Sequence, residues 1–265
     1  MENTLIPVDL NEMGAKGAIA DDATGKWGMA IDQDLCTGCQ ACVAACSMEN
    51  NVPFVLEDDA GYGRSLHWIR IERFWEGEFP DVKMTPFQPM LCQQCGSAPC
   101  EPVCPVFASV HSPAQQINLQ VYNRCVGTRY CANNCPYQVR QFNYRDYALE
   151  PINANDDNGK LVYPLHNQFN PDVTVRRRGV MEKCTFCLQR IHKAEETART
   201  QNEELGDVEF TTACAQACPT NAIVFGLIDD PNSLVSQINA ANENKAYKQL
   251  AELNTNPRIT YLKEG

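Results

Sequence analysis

Nowhere in this 265-residue chain is there an apolar run approaching the roughly 20 residues that a bilayer-spanning helix needs. Its beginning, MENTLIPVDLNEMGAKGAIADD, lacks the basic segment and apolar core of a secretory signal, and no twin arginine stands ahead of an apolar stretch. The sequence therefore predicts a chain soluble by itself. Positive charge is scarce: 22 Lys and Arg against 33 Asp and Glu leave a formal charge of −11. That excludes a nucleic-acid binder, whose partner's phosphates need a basic face, and favours positively charged docking surfaces on partners. Histidine occurs only as His67, His111, His166 and His192, too scattered for a ligand set, so each reads as a surface or packing residue. No C-x-x-C-H occurs, because Cys39, Cys95 and Cys187 are followed by Gln40, Gly96 and Leu188. Covalent c-type haem within the chain is excluded.

Cysteine, by contrast, is abundant. All 15 cysteines fall into four groups, leaving none for a disulfide. The first is Cys36, Cys39, Cys42 and Cys46. The second is Cys92, Cys95, Cys100 and Cys104, followed by Pro105. In the third, Cys125, Cys131 and Cys135 precede Pro136, and Thr128 stands where the rhythm asks for a thiolate. The fourth is Cys184 and Cys187, then Cys214 and Cys218 before Pro219. Three close thiolates with a fourth just ahead of proline form the bacterial ferredoxin pattern, in which that fourth cysteine ligates the neighbouring iron–sulfur cluster.

The crossover rule then assigns four sites. Cys36, Cys39, Cys42 and Cys218 hold one [4Fe–4S] cluster, and Cys184, Cys187, Cys214 and Cys46 hold its neighbour. Cys92, Cys95, Cys100 and Cys135 hold a third [4Fe–4S] cluster, leaving Cys125, Cys131 and Cys104 for the fourth site. A threonine hydroxyl is a hard, weakly acidic ligand at a soft site. The fourth iron is therefore expected to be absent, giving a [3Fe–4S] cluster, with a [4Fe–4S] cluster carrying water or hydroxide on one iron as the alternative. Fewer negative ligands, with Arg124, Arg129 and Arg140 nearby, push this cluster's potential upward.

The expected fold is α+β, with tandem ferredoxin-like halves formed by groups one and four and by groups two and three. Residues 1–26 read as an arm, 27–227 as the double domain with 88–147 as the inserted half, and 228–265 as a C-terminal tail. KWGMAIDQDLC predicts a strand, and CQACVAACSMEN an Ala-rich helix with Cys42 and Cys46 one turn apart. Residues on both sides of Glu76–Gly77–Glu78 predict a hairpin packed by Trp68, Phe74 and Trp75. Asn118–Tyr122 and VRQFNYRDY predict short strands, and residues 150–175 a long surface excursion. TFCLQRIHKAEETARTQNEE predicts a charged helix and NAIVFGLI a buried strand. The tail predicts a helix from about Asn232 to Leu253, then an extended PRITYLK. Arg176, Arg177 and Arg178 read as a solvated face, with partner docking or potential tuning as the alternative.

On these motifs the chain resembles the iron–sulfur subunits of the complex iron–sulfur molybdoenzyme family. YNRCVGTRYCANNCPYQVRQFNY, DVTVRRRGVMEKCTFCLQRI and NPRITYL resemble a narrower branch, which contains alternative complex III and the menaquinone reductase complex of sulfate reducers. Two departures stand out: Ser47, rather than proline, follows Cys46, and four residues separate Cys95 from Cys100. The resemblance implies a non-catalytic electron-transfer subunit. Its partners are a molybdopterin-oxidoreductase-like subunit, a multihaem cytochrome c and an NrfD-like quinone-binding membrane subunit. It also implies a peripheral place on the cytoplasmic membrane, at the periplasmic face after export with a partner, or else at the cytoplasmic face. An iron–sulfur subunit of a true molybdenum reductase, of polysulfide or tetrathionate type, is the alternative. Other chemistries are a dehydratase using the open iron beside Thr128 as Lewis acid, and a zinc-stabilised interaction module.

Overall fold

The computed structural model describes residues 25–147 except 54, 56 and 114, together with 168–202 and 210–264. In chain order the elements are β1 (Trp27–Asp32), α1 (Ala41–Glu49), α2 (Glu57–Gly61), β2 (Ile69–Glu72), β3 (Trp75–Glu76), β4 (Lys83–Met84), β5 (Gln88–Leu91), β6 (Ser109–His111), β7 (Asn118–Gln120) and α3 (Tyr130–Asn133). They continue with β8 (Gln141–Phe142), β9 (Met181–Glu182), α4 (Leu188–Gln201), α5 (Ala213–Gln216), β10 (Ile223–Leu227), α6 (Leu234–Ala241), β11 (Ala246–Tyr247) and β12 (Ile259–Leu262). The architecture is a mixed α+β one.

The main sheet runs β10-β1-β12-β11. Its strand β1 is buried along nearly its whole length, as an inner strand should be. It runs antiparallel to β10 (Met29↔Phe225) and parallel to β12 (Met29↔Ile259). Trp27 stacks on Phe225 at 5.1 Å and meets Phe210 edge-on at 5.1 Å, closing one end of the sheet with aromatic area. Gly28 lets the strands approach: a Cβ there would stand 2.6 Å from the Arg258 carbonyl oxygen. Tyr261 is fully buried; its hydroxyl donates to Pro89 O at 2.9 Å and accepts from Gln93 Nε2 at 3.1 Å. The last strand is thereby tied to the second cysteine group.

Several expectations meet the structure differently. The tail helix stops at Ala241 rather than near Leu253. Asn242 turns its amide back to Ile238 O at 2.9 Å, and Ala246–Tyr247 pairs with β12 instead of continuing the helix. Ser233 caps the helix start, as the Asn232–Ser233 reading requires. The hairpin forms as β3–β4 beyond β2–β5, yet of its three aromatics only Trp68 is buried, whereas Phe74 and Trp75 are exposed with the rest of 73–84. The strand in 118–122 ends at Gln120, and VRQFNYRDY supplies only Gln141–Phe142, paired with β9. Arg176 leaves the solvated run: its guanidinium is buried against Glu182 at 2.9 Å, while Arg177 and Arg178 are exposed. Most of the arm (1–24), most of the surface excursion (150–167), and His166 lie outside the described residues. No helix among the described residues is long and apolar enough to cross a membrane.

Candidate iron–sulfur sites

Cysteine loops of the first, third and fourth groups lead into helices, whereas the second group lies in turns after β5. Gln40 and Arg129 take the left-handed conformation immediately before α1 and α3, as Cys187 itself does before α4. Helix α1 carries Cys42 and Cys46 one turn apart, both buried. It thus presents one sulfur to each of two sites.

The structure brings the expected sets together. Cys36, Cys39, Cys42 and Cys218 line a cavity of about 310 Å³. Burial, with added repulsion from the neighbouring thiols, pushes Cys42 up to about 11. Cys92, Cys95, Cys100 and Cys135 line a second cavity, also about 310 Å³. Burial there pushes Cys95 up to about 12, with Cys92 adding to it. Cys104, Cys125 and Cys131 line a third, of about 260 Å³, whose wall includes exposed Thr128 and Arg129. Cys46, Cys184, Cys187 and Cys214 face one another in the interior. Burial and then mutual repulsion lift Cys46 and Cys184 well above the thiol range, and Cys214 to about 12. Among the described residues no three His, Cys, Asp or Glu side chains converge as one metal ion would require; the sulfurs surround volumes instead.

Whether these walls fit a cluster is decided by what points at the sulfurs. Ala108 N donates to Cys104 Sγ at 3.1 Å and Ala222 N to Cys218 Sγ at 3.3 Å. In both cases the donor lies four residues beyond a Cys-Pro turn. Burial alone would raise these two thiols. Backbone N–H groups around residues 106–109 and 220–223, with the Thr220 hydroxyl at Cys218, outweigh it and lower both. Cys135, also followed by proline, is likewise met by the N–H of Val139, although burial keeps it raised. Elsewhere Met181 N reaches Cys125 at 3.4 Å, Phe186 N reaches Cys184 at 3.5 Å and Ser109 Oγ reaches Cys100 at 3.4 Å. Thr212 Oγ1 lies 3.2 Å from Cys214 Sγ. Crowded thiols that resist ionising together, ringed by donors suited to anionic sulfur, fit a polycationic iron core.

Sequence reasoning missed several of these supports. Where Ser47 replaces the proline, α1 runs on and Asn50 N is spent on Cys46 O at 3.0 Å. The Asn50 side-chain amide, still four residues beyond the cysteine, takes over and reaches both Cys46 and Cys187 sulfurs at 3.6 Å. Thr255, from the C-terminal tail, bonds toward Cys95 and lies 2.6 Å from Tyr137 OH. Of the three arginines, Arg140 is buried and donates to Ser109 Oγ at 2.7 Å and Gln120 Oε1 at 2.9 Å, and its charge opposes the rise of Cys131. Arg129 lies over Phe142 at 5.0 Å, and Arg124, exposed, reaches Phe107 O at 3.5 Å.

Ferredoxin-like four-iron cluster binding is the class to which these loops belong. A 4Fe-4S dicluster domain model matches residues 124–222 and a 4Fe-4S binding domain model matches 27–48. Over 243 residues the chain is 38% identical to the menaquinone reductase iron–sulfur cluster-binding subunit of Nitratidesulfovibrio vulgaris, covering 89% of this chain and 88% of that one. It is 33% identical over 252 residues to the arsenate respiratory reductase iron–sulfur subunit ArrB of a Shewanella species, covering 89% and 95%. To the protein NrfC of Escherichia coli it is 34% identical over 234 residues, covering 88% and 79%. The chain belongs to the family of iron–sulfur subunits of menaquinone reductase, NrfC and dimethyl sulfoxide reductase-type complexes.

Proposed function

We propose that this chain is a four-cluster electron wire between periplasmic redox partners and a quinone-reactive membrane subunit. Cys36, Cys39, Cys42 and Cys218 hold the first [4Fe–4S] cluster, and Cys46, Cys184, Cys187 and Cys214 the second. Cys92, Cys95, Cys100 and Cys135 hold the third, and Cys104, Cys125 and Cys131 a [3Fe–4S] cluster beside Thr128. The groups pair as two ferredoxin-like halves, one and four, two and three. Bound there, such clusters supply one-electron steps without proton chemistry of their own.

The observation that carries this reading is the order of burial along the sites. All four cysteines are buried at the second and at the third site, whereas the first has Cys39 exposed and the last has Cys104 and Cys125 half-exposed. Neighbouring sites interact in sequence, Cys214 with Cys42, Cys184 with Cys92 and Cys131 with Cys100. Two covered positions between two reachable ends describe a conduit. Arg140, between the third and fourth sites, raises the potential at the quinone end, with Arg124 and Arg129 adding weaker, solvent-screened charge. By likeness to the menaquinone reductase subunit, the partners are a molybdopterin-oxidoreductase-like subunit, a multihaem cytochrome c and an NrfD-like membrane subunit. The complex then sits peripherally at the periplasmic membrane face, exported with a partner. Similarity to ArrB supports a second reading, the iron–sulfur subunit of a substrate-reducing molybdenum enzyme, distinguished by which catalytic subunit co-purifies.

Metal and sulfide analysis of the purified complex tests the wire. The expected content in this chain is roughly fifteen irons, with an oxidised-state [3Fe–4S] EPR signal. Zinc without iron, or an oxidised protein silent in EPR, would remove the assignment.

A further inference from the structure

Among the described residues some buried charge is matched by opposite charge. Arg176 has Glu182 at 2.9 Å, and half-buried Arg190 has Glu49 at 2.8 Å. Lys183, like buried Arg140 with its Ser109 and Gln120 acceptors, meets neutral acceptors instead. Its side chain is fully buried, and among the described residues its ammonium meets only the carbonyl oxygens of Asn118 and Cys184, the latter at 3.0 Å. Glu182, next in the chain, is taken by Arg176, Trp68 and Asn143. Glu101, the other carboxylate nearby, is engaged by the Asn118 amide and His111. A cation held in low dielectric against neutral acceptors alone is costly unless an anion lies close by.

The two carbonyls belong to the walls of two different cysteine sites. Cys184 is part of the second. Asn118 lines the cavity of the third, its Oδ1 3.8 Å from Cys100 Sγ. Gln94, fully buried as well, joins the same two segments: its Nε2 donates to Cys184 O at 2.8 Å and its Oε1 accepts from Asn118 N at 3.0 Å. The lysine therefore stands at the junction of the two covered sites.

We infer that Lys183 is a resident cation between the second and third clusters, with the thiolate-bound clusters as its counter-charge, and that it sets the potentials of both together. The inference rests on the cluster reading above. Each cluster gains one negative charge on reduction, and a fixed positive charge between two of them favours the reduced form of both. Both middle potentials are thereby raised together relative to the same sites without the cation.

EPR-monitored redox titration of the whole complex, carrying Lys183→Met, Lys183→Gln or Lys183→Arg, tests this. The two neutral variants should shift the second and third clusters toward oxidation by about tenfold in the reduction equilibrium, 59 mV for one electron. The first and fourth should stay put, and Lys183→Arg should keep the wild-type values. Unmoved middle potentials in both neutral variants, or equal shifts at all four sites, overturn the inference. Should the neutral variants fail to hold iron, iron content becomes the measure. Full loading of Lys183→Arg then supports the cation, and equal loss in Lys183→Arg overturns it. A wild-type complex without iron at these two sites would instead remove the cluster reading itself.

Discussion

At the scale of single residues, Ser47 and Asn50 show how one departure from a motif is repaired by another side chain. Proline after the last cysteine of a group frees a backbone N–H four residues on, as at Ala108 and Ala222. A serine there lets α1 continue, and an amide side chain supplies the donor that the helix has consumed. Thr128 is the opposite case, a departure with no repair, since the chain places an exposed hydroxyl at the wall of the three-cysteine cavity. On the proposed assignment, replacing Thr128 with Cys should convert the oxidised [3Fe–4S] signal into a fourth cubane, lower that site's potential and impair quinone-linked turnover. An unchanged oxidised spectrum would falsify the assignment of that slot. The cysteine sets were legible in the sequence because ligand spacing is a short-range pattern. Asn50, Thr255, Gln94 and Lys183 were not, because each acts on a sulfur or carbonyl from a segment that only the tertiary fold brings near, or fills a role that another residue vacated.

At the scale of elements, the aromatic hairpin shows where composition misleads. Trp68 and Trp75 sit on neighbouring segments of one sequence pattern, yet Trp68 donates to Glu182 Oε2 at 3.1 Å under the Arg176 guanidinium, 4.8 Å from its ring. Trp75 stands in the open. Trp68→Ala should cost about 3–5 kcal/mol, whereas Trp75→Ala should stay within about 0.5 kcal/mol. Denaturant midpoints of the two variants against wild type check the contrast. Aromatic and β-branched residues on both sides of Glu76–Gly77–Glu78 revealed that a hairpin exists, but not which of its faces meets a neighbour. The tail helix failed for a related reason. Residues 242–253 have adequate helix formers, but Ala246–Tyr247 gains a strand partner in β12, with Tyr247 5.7 Å from Tyr261, which local propensity does not register.

At the scale of the whole molecule, each of the four sites draws sulfur from separate stretches, and the ligand-free tail supports two of them. β12 pairs with β1, which leads into the first site, while Gly96 N and Ser97 N donate to Asn256 O and Thr255 O beside the third. Ile259→Asp, a carboxylate placed at a fully buried strand position, should therefore strip iron from the complex although no ligand is touched. Iron per chain falling well below the wild-type value is the expected result, and full loading would show the tail to be dispensable. Such an assembly is rich in contacts between residues far apart in sequence, a topology that folds slowly.

The parallel seam between β1 and β12 also governs the order of birth. A polypeptide still emerging from the ribosome has Cys36, Cys39 and Cys42 in hand long before Cys218, and before Ile259 can seat beside Met29. Its earliest thiols must wait, reduced and shielded, for its last. On the proposed assignment the first and second sites are complete only once Cys214 and Cys218 are made, whereas every ligand of the third and fourth is in hand by Cys135. Maturation of the first pair depends on whatever guards its early sulfurs in the interval.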